Sequence, residues 1–294
     1  MTAPDQADDH ELGTPPQGSA LWWAILFTPE SRRGAFLAAA AIRREIRETV
    51  SRPREEIVAR VRLGWWHEEL GLMADGRPRH PATRELAGEL PEPKTGIAAL
   101  LSQVAAAERD LAATEYPDFT ALIEHCADDG GAWYEMIARA TSTSGEPGAE
   151  AIAAIRQLGA AAQMVELIRG LHQDAVRGRY YLPADLRKNG GIGPDEHVTP
   201  PTSASLRTAL GTAADAARKA FADGARDLPP GERSVCASVL VMAALSARQL
   251  EQIEKRDYDV VGHWTELPSA VKLWSAWNAA RRSMRGKLPR FAGV

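Results

Sequence analysis

Cysteine is scarce: Cys126 and Cys236 are the 2 in 294 residues, and neither sits in a CxxC or Cys/His cluster. That excludes a zinc-finger framework and leaves two buried free thiols of a reducing cytoplasm as the expectation. Runs of β-branched residues are few and alanine is abundant, a composition that favours closely packed helices. No stretch approaches 18 uninterrupted apolar residues, and the start, MTAPDQADDH, lacks the basic and apolar regions of a signal peptide. Nor is there an excess of one charge, since 35 basic and 39 acidic residues leave a net −4 and give no reason to expect a nucleic-acid partner. The expectation is a cytoplasmic chain, with peripheral contact at the inner membrane left open.

What is present is 45% hydrophobic residues, enough for a sizeable core, and 8 Trp against 5 Tyr and 5 Phe. The organising stretch is Gln157 to Pro183, QLGAAAQMVELIRGLHQDAVRGRYYLP. Leu158, Ala161, Val165 and Ile168 recur at helical spacing, and Met164, Leu167 and Leu171 widen the stripe enough for a helix buried on most sides. Gln163, Glu166, Gly170, Asp174 and Arg177 form a second, polar stripe at steps of three and four. Polar groups on such a helix must face water, a partner or a cavity, because an unpaired buried one costs roughly 1–3 kcal/mol. A cavity lining is the expectation.

Residues 1–20 are acidic, rich in Pro and Gly, and predict a disordered leader before the apolar start LWWAILF. A helix is expected from Arg32 to about Ser51, where Glu45 and Glu48 share a face but Arg43, Arg44 and Arg47 surround them, opposing a cation site. His67 and His80 read as capping or packing residues. Another helix is predicted from Ile97 to Thr114. Asp128-Asp129-Gly130-Gly131, the one paired aspartate motif of this kind, reads as turn chemistry, and the stretch from Pro183 to Ser203 as a loop. Gly191-Ile192-Gly193 has neither the strand nor the Gly-Lys-Ser/Thr of a phosphate loop. Helices at Ala204–Ala225, Val235–Lys255 and Ala270–Arg285 precede a tail over 286–294. The basic run Arg281 to Arg290, which ends the last helix and opens the tail, reads as a solvated end or as a contact for acidic lipid.

The chain resembles the squalene/phytoene synthase family, the head-to-head prenyl transferases. Leu158, Gly159, Ala161, Gln163, Arg169, Asp174, Arg177, Gly178, Arg179, Tyr181, Leu182 and Pro183 fall on its pattern LGxALQxxNIxRDxxED…RGRxYLP. RLGWWHEEL is similar to the family's RLxWWRxxL, and Leu267, Pro268, Lys272, Leu273, Trp274, Trp277, Ala279 and Arg281 to its C-terminal motif. The resemblance implies an all-α isoprenoid-synthase bundle with a central cavity, in one domain over 21–285.

It also implies what active members need and this chain departs from. They hold Mg²⁺, and through it the substrate diphosphate, on aspartates four apart. Here the first aspartate position is Gly170, the adjoining Glu position Gln173 and the upstream Asn position Glu166, while the DDxxD-like region is RREIRET. The implied cavity lining is Glu45, Glu48, Gln163, Glu166, Gly170 and Asp174. The implied diphosphate contacts are Arg44, Arg169, Arg177, Arg179 and Tyr181, with the alternative that the arginines pair with Asp174 or Asp185 and the segment only ends the helix. No catalytic or metal-ligating residue is assigned. The departures resemble a branch of the family that includes the mitochondrial complex I assembly factor. They imply a chain without catalysis that binds a prenyl diphosphate or other lipid, or a protein partner in a membrane complex. The alternative is a Mg²⁺-dependent transferase condensing two prenyl diphosphates, with Asp174 and Glu48 as a single metal site.

Overall fold

A computed structural model describes residues 13, 15–51, 56–90, 93–112 and 115–291. Twelve α-helices are placed among them, and no strand. Helix α1 (Ala20–Leu26) starts where Ser19 Oγ accepts from the Trp22 amide, and α2 (Arg33–Ser51) follows. Then come α3 (Glu56–Ala74), α4 (Pro81–Glu89) and α5 (Pro93–Leu111). His80 caps α4, its Nδ1 accepting from the Ala82 amide. Next are α6 (Phe119–Cys126), α7 (Ala132–Thr141), α8 (Ala149–Val176) and α9 (Ala184–Gly190). The chain closes with α10 (Ala204–Asp227), α11 (Ala237–Lys255) and α12 (Ser269–Ser283).

Helix α8 is the centre, packed against α6, α7, α10 and α11. Leu158, Ala161, Val165, Ile168 and Leu171 are buried along it. Its 28 residues are long and apolar enough to cross a membrane by composition, yet 67% of that apolar window is buried in the bundle. The apolar surface is matched by protein.

Three expectations need correction. Asp128 to Gly131 is not a chain reversal but a π-helical turn, Ala127–Gly131, that carries α6 into α7 without a break. Tertiary packing overrides the local turn chemistry, because Gly130 and Gly131 let this turn lie directly on α8. A Cβ on Gly130 would overlap the Gly159 carbonyl, and one on Gly131 would stand 2.9 Å from that of Arg156. The stretch after Pro183 is largely ordered, with α9 stopped by Gly191 at φ 65° and a short 3-10 turn at Pro194–His197. The tail is not free either, since Phe291 is buried and stacks on Phe221 at 6.0 Å. Most of the leader lies outside the described residues, as do 292–294. Both cysteines are buried and free, and burial pushes the Cys236 thiol up to about 12.

Candidate functional site

On α2 the buried positions Ala39, Ile42, Ile46 and Val50 define an inner face, and Arg43 and Arg47 fall on its edge, one turn apart. Arg43 Nη1 donates to Asp129 Oδ1 at 2.7 Å and to Gln103 Oε1 at 3.0 Å, with its guanidinium 5.1 Å from the Trp133 ring centre. Arg47 Nη1 donates to Asp110 Oδ2 at 2.6 Å and stands 3.4 Å from Asp129 Oδ2. The Asp110, Asp129 and His125 side chains are fully buried, and His125 Nε2 is 3.6 Å from Asp110 Oδ1. Tyr116, His125 and Tyr181 close the cluster as a stack with ring centres 5.0–5.9 Å apart.

The electrostatics follow from burial and pairing. Burial alone would raise the Asp129 pKa, but Arg43 and Arg47 outweigh it and hold the carboxyl at about 2. Arg47 is pushed above its ordinary value because its two aspartates outweigh its own desolvation. Burial pushes His125 down and keeps its ring neutral. Two guanidiniums therefore face two carboxylates in a closed, balanced set.

Sequence reasoning singled out neither Gln103, Asp110 nor His125, and assigned Asp129 to a turn. A signal for the first two exists: Leu100, Gln103, Val104, Ala107, Asp110 and Leu111 are all buried and share one face of α5. Two polar residues in phase with an apolar stripe announce a buried polar partner.

The anticipated site residues do not converge. Because Arg43 and Arg47 face inward, Arg44 and Glu48, one position on, are rotated outward and exposed. Glu45 is half-buried and faces His80 Nε2 at 3.5 Å. Gln163 is buried against the Gly130 backbone. Glu166 and Arg169 pair with each other and line a cavity of 230 Å³ with Ser246, Gln249, Trp264 and Lys272. Arg169 lies 4.5 Å from the Trp264 ring centre. Asp174, Arg179 and Tyr181 line a separate void of 20 Å³. Arg177 Nη1 is 3.8 Å from Asp174 Oδ1, and Arg179 donates to the Val50 carbonyl. Gly170 sits one turn from Asp174, where a Cβ would stand 3.2 Å from its Oδ2.

Burial raises the Asp174 pKa to about 6, outweighing the pull of Arg177 and Arg179. A carboxyl that holds its proton more tightly when folded contributes stability at low pH that is lost as the pH rises through about 6. The displacement from 3.8 corresponds to ~3 kcal/mol of charge-burial cost. Asp174→Asn has no proton to lose. It is expected to raise the melting temperature at pH 8 and leave it nearly unchanged at pH 4, as read by thermal melts across that range.

Magnesium does not fit this arrangement. The ion takes six oxygen ligands in near-octahedral geometry. Between α2 and the π turn, guanidinium nitrogens already stand 2.6–3.4 Å from the Asp110 and Asp129 oxygens. Asp110 Oδ1 and Asp129 Oδ2 lack hydrogen-bond partners, but His125 and Arg47 occupy their approaches. Among the described residues no group of three or more His, Cys, Asp or Glu side chains is placed to hold a metal.

Comparison with known proteins gives this bundle its kin. The chloroplastic phytoene synthase of Daucus carota is 27% identical over 267 residues, covering 88% of this chain and 66% of that protein. Phytoene synthase 3 of Zea mays is also 27% identical, over 88% of this chain and 61% of its own length. This chain thus spans just under two thirds of the length of these two relatives. A crystal structure of a dehydrosqualene synthase in complex with ligand superposes with a TM-score of 0.75 at 16% identity, over 89% of this chain and 90% of that one. The squalene synthase HpnC from Alicyclobacillus acidocaldarius superposes with a TM-score of 0.66 at 19% identity, over 81% and 88%. Both share the all-α fold. The profile described as squalene/phytoene synthase matches residues 15–277, and the chain belongs to that family.

Proposed function

We propose that this chain keeps the family's bundle without its diphosphate chemistry and acts by binding, as an assembly factor for a protein partner in a membrane complex. The observation that carries the reading is the pair of inward arginines, Arg43 and Arg47, matched to Asp129 and Asp110. Ionising an allylic diphosphate releases a leaving group of about three negative charges, which metal ions bridging two facing acidic clusters neutralise. Here one cluster is replaced by arginines and the other is reduced to Asp174. A family resemblance cannot supply what the site lacks.

Binding through the surface is favoured over carrying a prenyl lipid inside. The cavity beside Glu166 and Arg169, at 230 Å³, falls below the roughly 300–1,000 Å³ of small-molecule pockets. Arg169, Arg177 and Arg179 are each engaged within the protein rather than aimed at one anion.

The second reading, an active head-to-head transferase, is favoured by the names of the matched relatives, which are phytoene synthases. Purified protein with farnesyl or geranylgeranyl diphosphate and Mg²⁺ separates the two. The expected result is no squalene, presqualene diphosphate or phytoene above a protein-free control. Any of these products overturns the non-catalytic reading.

A further inference from the structure

The last helix turns an aromatic stripe outward. Along α12 the buried residues are small: Ser275, Ala276, Ala279, Ala280 and Ser283, packed toward α11 and α1. The opposite side carries Leu273, Trp274 and Trp277, exposed by 50, 58 and 46%, and Met284 at the C-cap by 64%. Leu273, Trp277 and Met284 are four and seven residues apart and share one face, with Trp274 beside them. A helix that only had to cover the core would place its indoles on the other side.

The charge carried by this segment is of one sign. From Leu267 to the end of the sequence there are six basic residues and no acidic one, in a chain whose net charge is −4. Among the described residues no ion pair engages Arg281, Arg282, Arg285, Lys287 or Arg290. Lys272, at the helix start, is paired with Glu266 at 2.6 Å. The Arg281 guanidinium lies 5.2 Å from the Trp277 ring centre. Beside Trp274 a cavity of 200 Å³ is walled in part by Arg248, Asn278 and Arg290, and there Arg248, paired with Glu251, keeps a buried Nε without a partner. The other exposed apolar stripe, Ile57, Val61 and Trp65 on α3, is interleaved with Glu56, Arg60 and Glu68 and has no such sign.

We propose that α12 is an interfacial helix that docks this chain on an anionic phospholipid bilayer. Its 15 residues are too few to span a membrane, for which about 20 are needed. Exposed indoles favour the headgroup level, and unpaired arginines at the same depth engage lipid phosphates. A purely apolar face would fit a protein groove equally well. The unneutralised basic charge selects the anionic surface. The inference stands apart from the non-catalytic reading, since a transferase could dock in the same way.

The test is co-sedimentation of the full chain with phosphatidylcholine vesicles, with and without phosphatidylglycerol. Binding is expected only with the anionic lipid, together with a blue shift of tryptophan emission and loss at high salt. Arg281→Glu with Arg285→Glu is expected to weaken partition about tenfold or more, and Trp274→Ala with Trp277→Ala to abolish the emission shift. These positions are exposed, so circular dichroism and melting temperature should stay at parental values. Val61→Ala on α3 should leave partition unchanged. Binding that ignores lipid charge and survives the Arg→Glu changes overturns the proposal. So does a loss caused by Val61→Ala, or an absence of vesicle binding. In the last case, a dimer in light scattering that the tryptophan variants dissociate would assign the face to a second copy of the chain.

Discussion

Asp129→Ala is expected to lower the unfolding free energy by about 3–5 kcal/mol, the cost of leaving buried charge without its partner. The carboxylate is fully buried and serves two guanidiniums at once, one at 2.7 Å and one at 3.4 Å. Against a total of roughly 5–15 kcal/mol for a domain, that removes a large fraction of the stability. A urea titration followed by circular dichroism reads it directly. Adding Arg43→Met should recover part of the loss, because it removes a charge left unpaired, and the coupling in such a cycle runs to about 0.5–3 kcal/mol. The pH dependence has a definite sign. A carboxyl held at about 2, below the usual 3.8, contributes stability that is full above 3.8 and disappears as the pH falls through about 2. The penalty of Asp129→Ala should therefore shrink in acid. A variant that stayed at parental stability at pH 7 would show that the cluster is not what holds α2 to the π turn.

Gly159→Ala is expected to cost about 3 kcal/mol or more, although helix propensity alone favours alanine by about 1 kcal/mol. A Cβ there would overlap the Gly130 carbonyl and stand 2.8 Å from Tyr134 Cβ, and neither neighbour is the free end of a flexible side chain. The π turn and α8 would have to separate, opening the packing around Gln163. Gly64→Ala, at an exposed position of α3 with nothing within 4 Å of the new methyl, isolates the propensity effect and should stabilise by about 1 kcal/mol. Melting temperatures of the two variants should move in opposite directions. A stabilised Gly159→Ala would mean that the backbones are not in contact.

The sequence was most legible where periodicity was longest. The stripe of Leu158, Val165 and Ile168 marks α8 as the central element, since a wide apolar band admits few other placements. The family, too, could be read from the run ending in RGRYYLP. Less legible was the site. The resemblance implies Glu45 and Glu48 as cavity lining and Arg44 as a diphosphate contact, but which side of α2 faces in is set by Ile42, Ile46 and Val50, and that register brings Arg43 and Arg47 to the inside. Asp129 was hidden for a different reason. Asp-Asp-Gly-Gly has the local chemistry of a turn, and only the partner helix, distant in sequence, makes its glycines a contact surface. Long-range packing decides such cases, and a single sequence does not display it.

The burial of α8 bears on how this chain is made. Two of its packing partners, α10 and α11, lie after it in sequence, so a helix apolar enough for a bilayer emerges before part of the surface that covers it exists. Translation must reach Lys255 to finish that surface, several seconds later at roughly 5–20 residues per second. Over that interval the nascent chain displays its greasiest segment to chaperones, to other chains and to any nearby bilayer. The helix at the heart of the finished bundle is the one a half-made molecule most needs shielded.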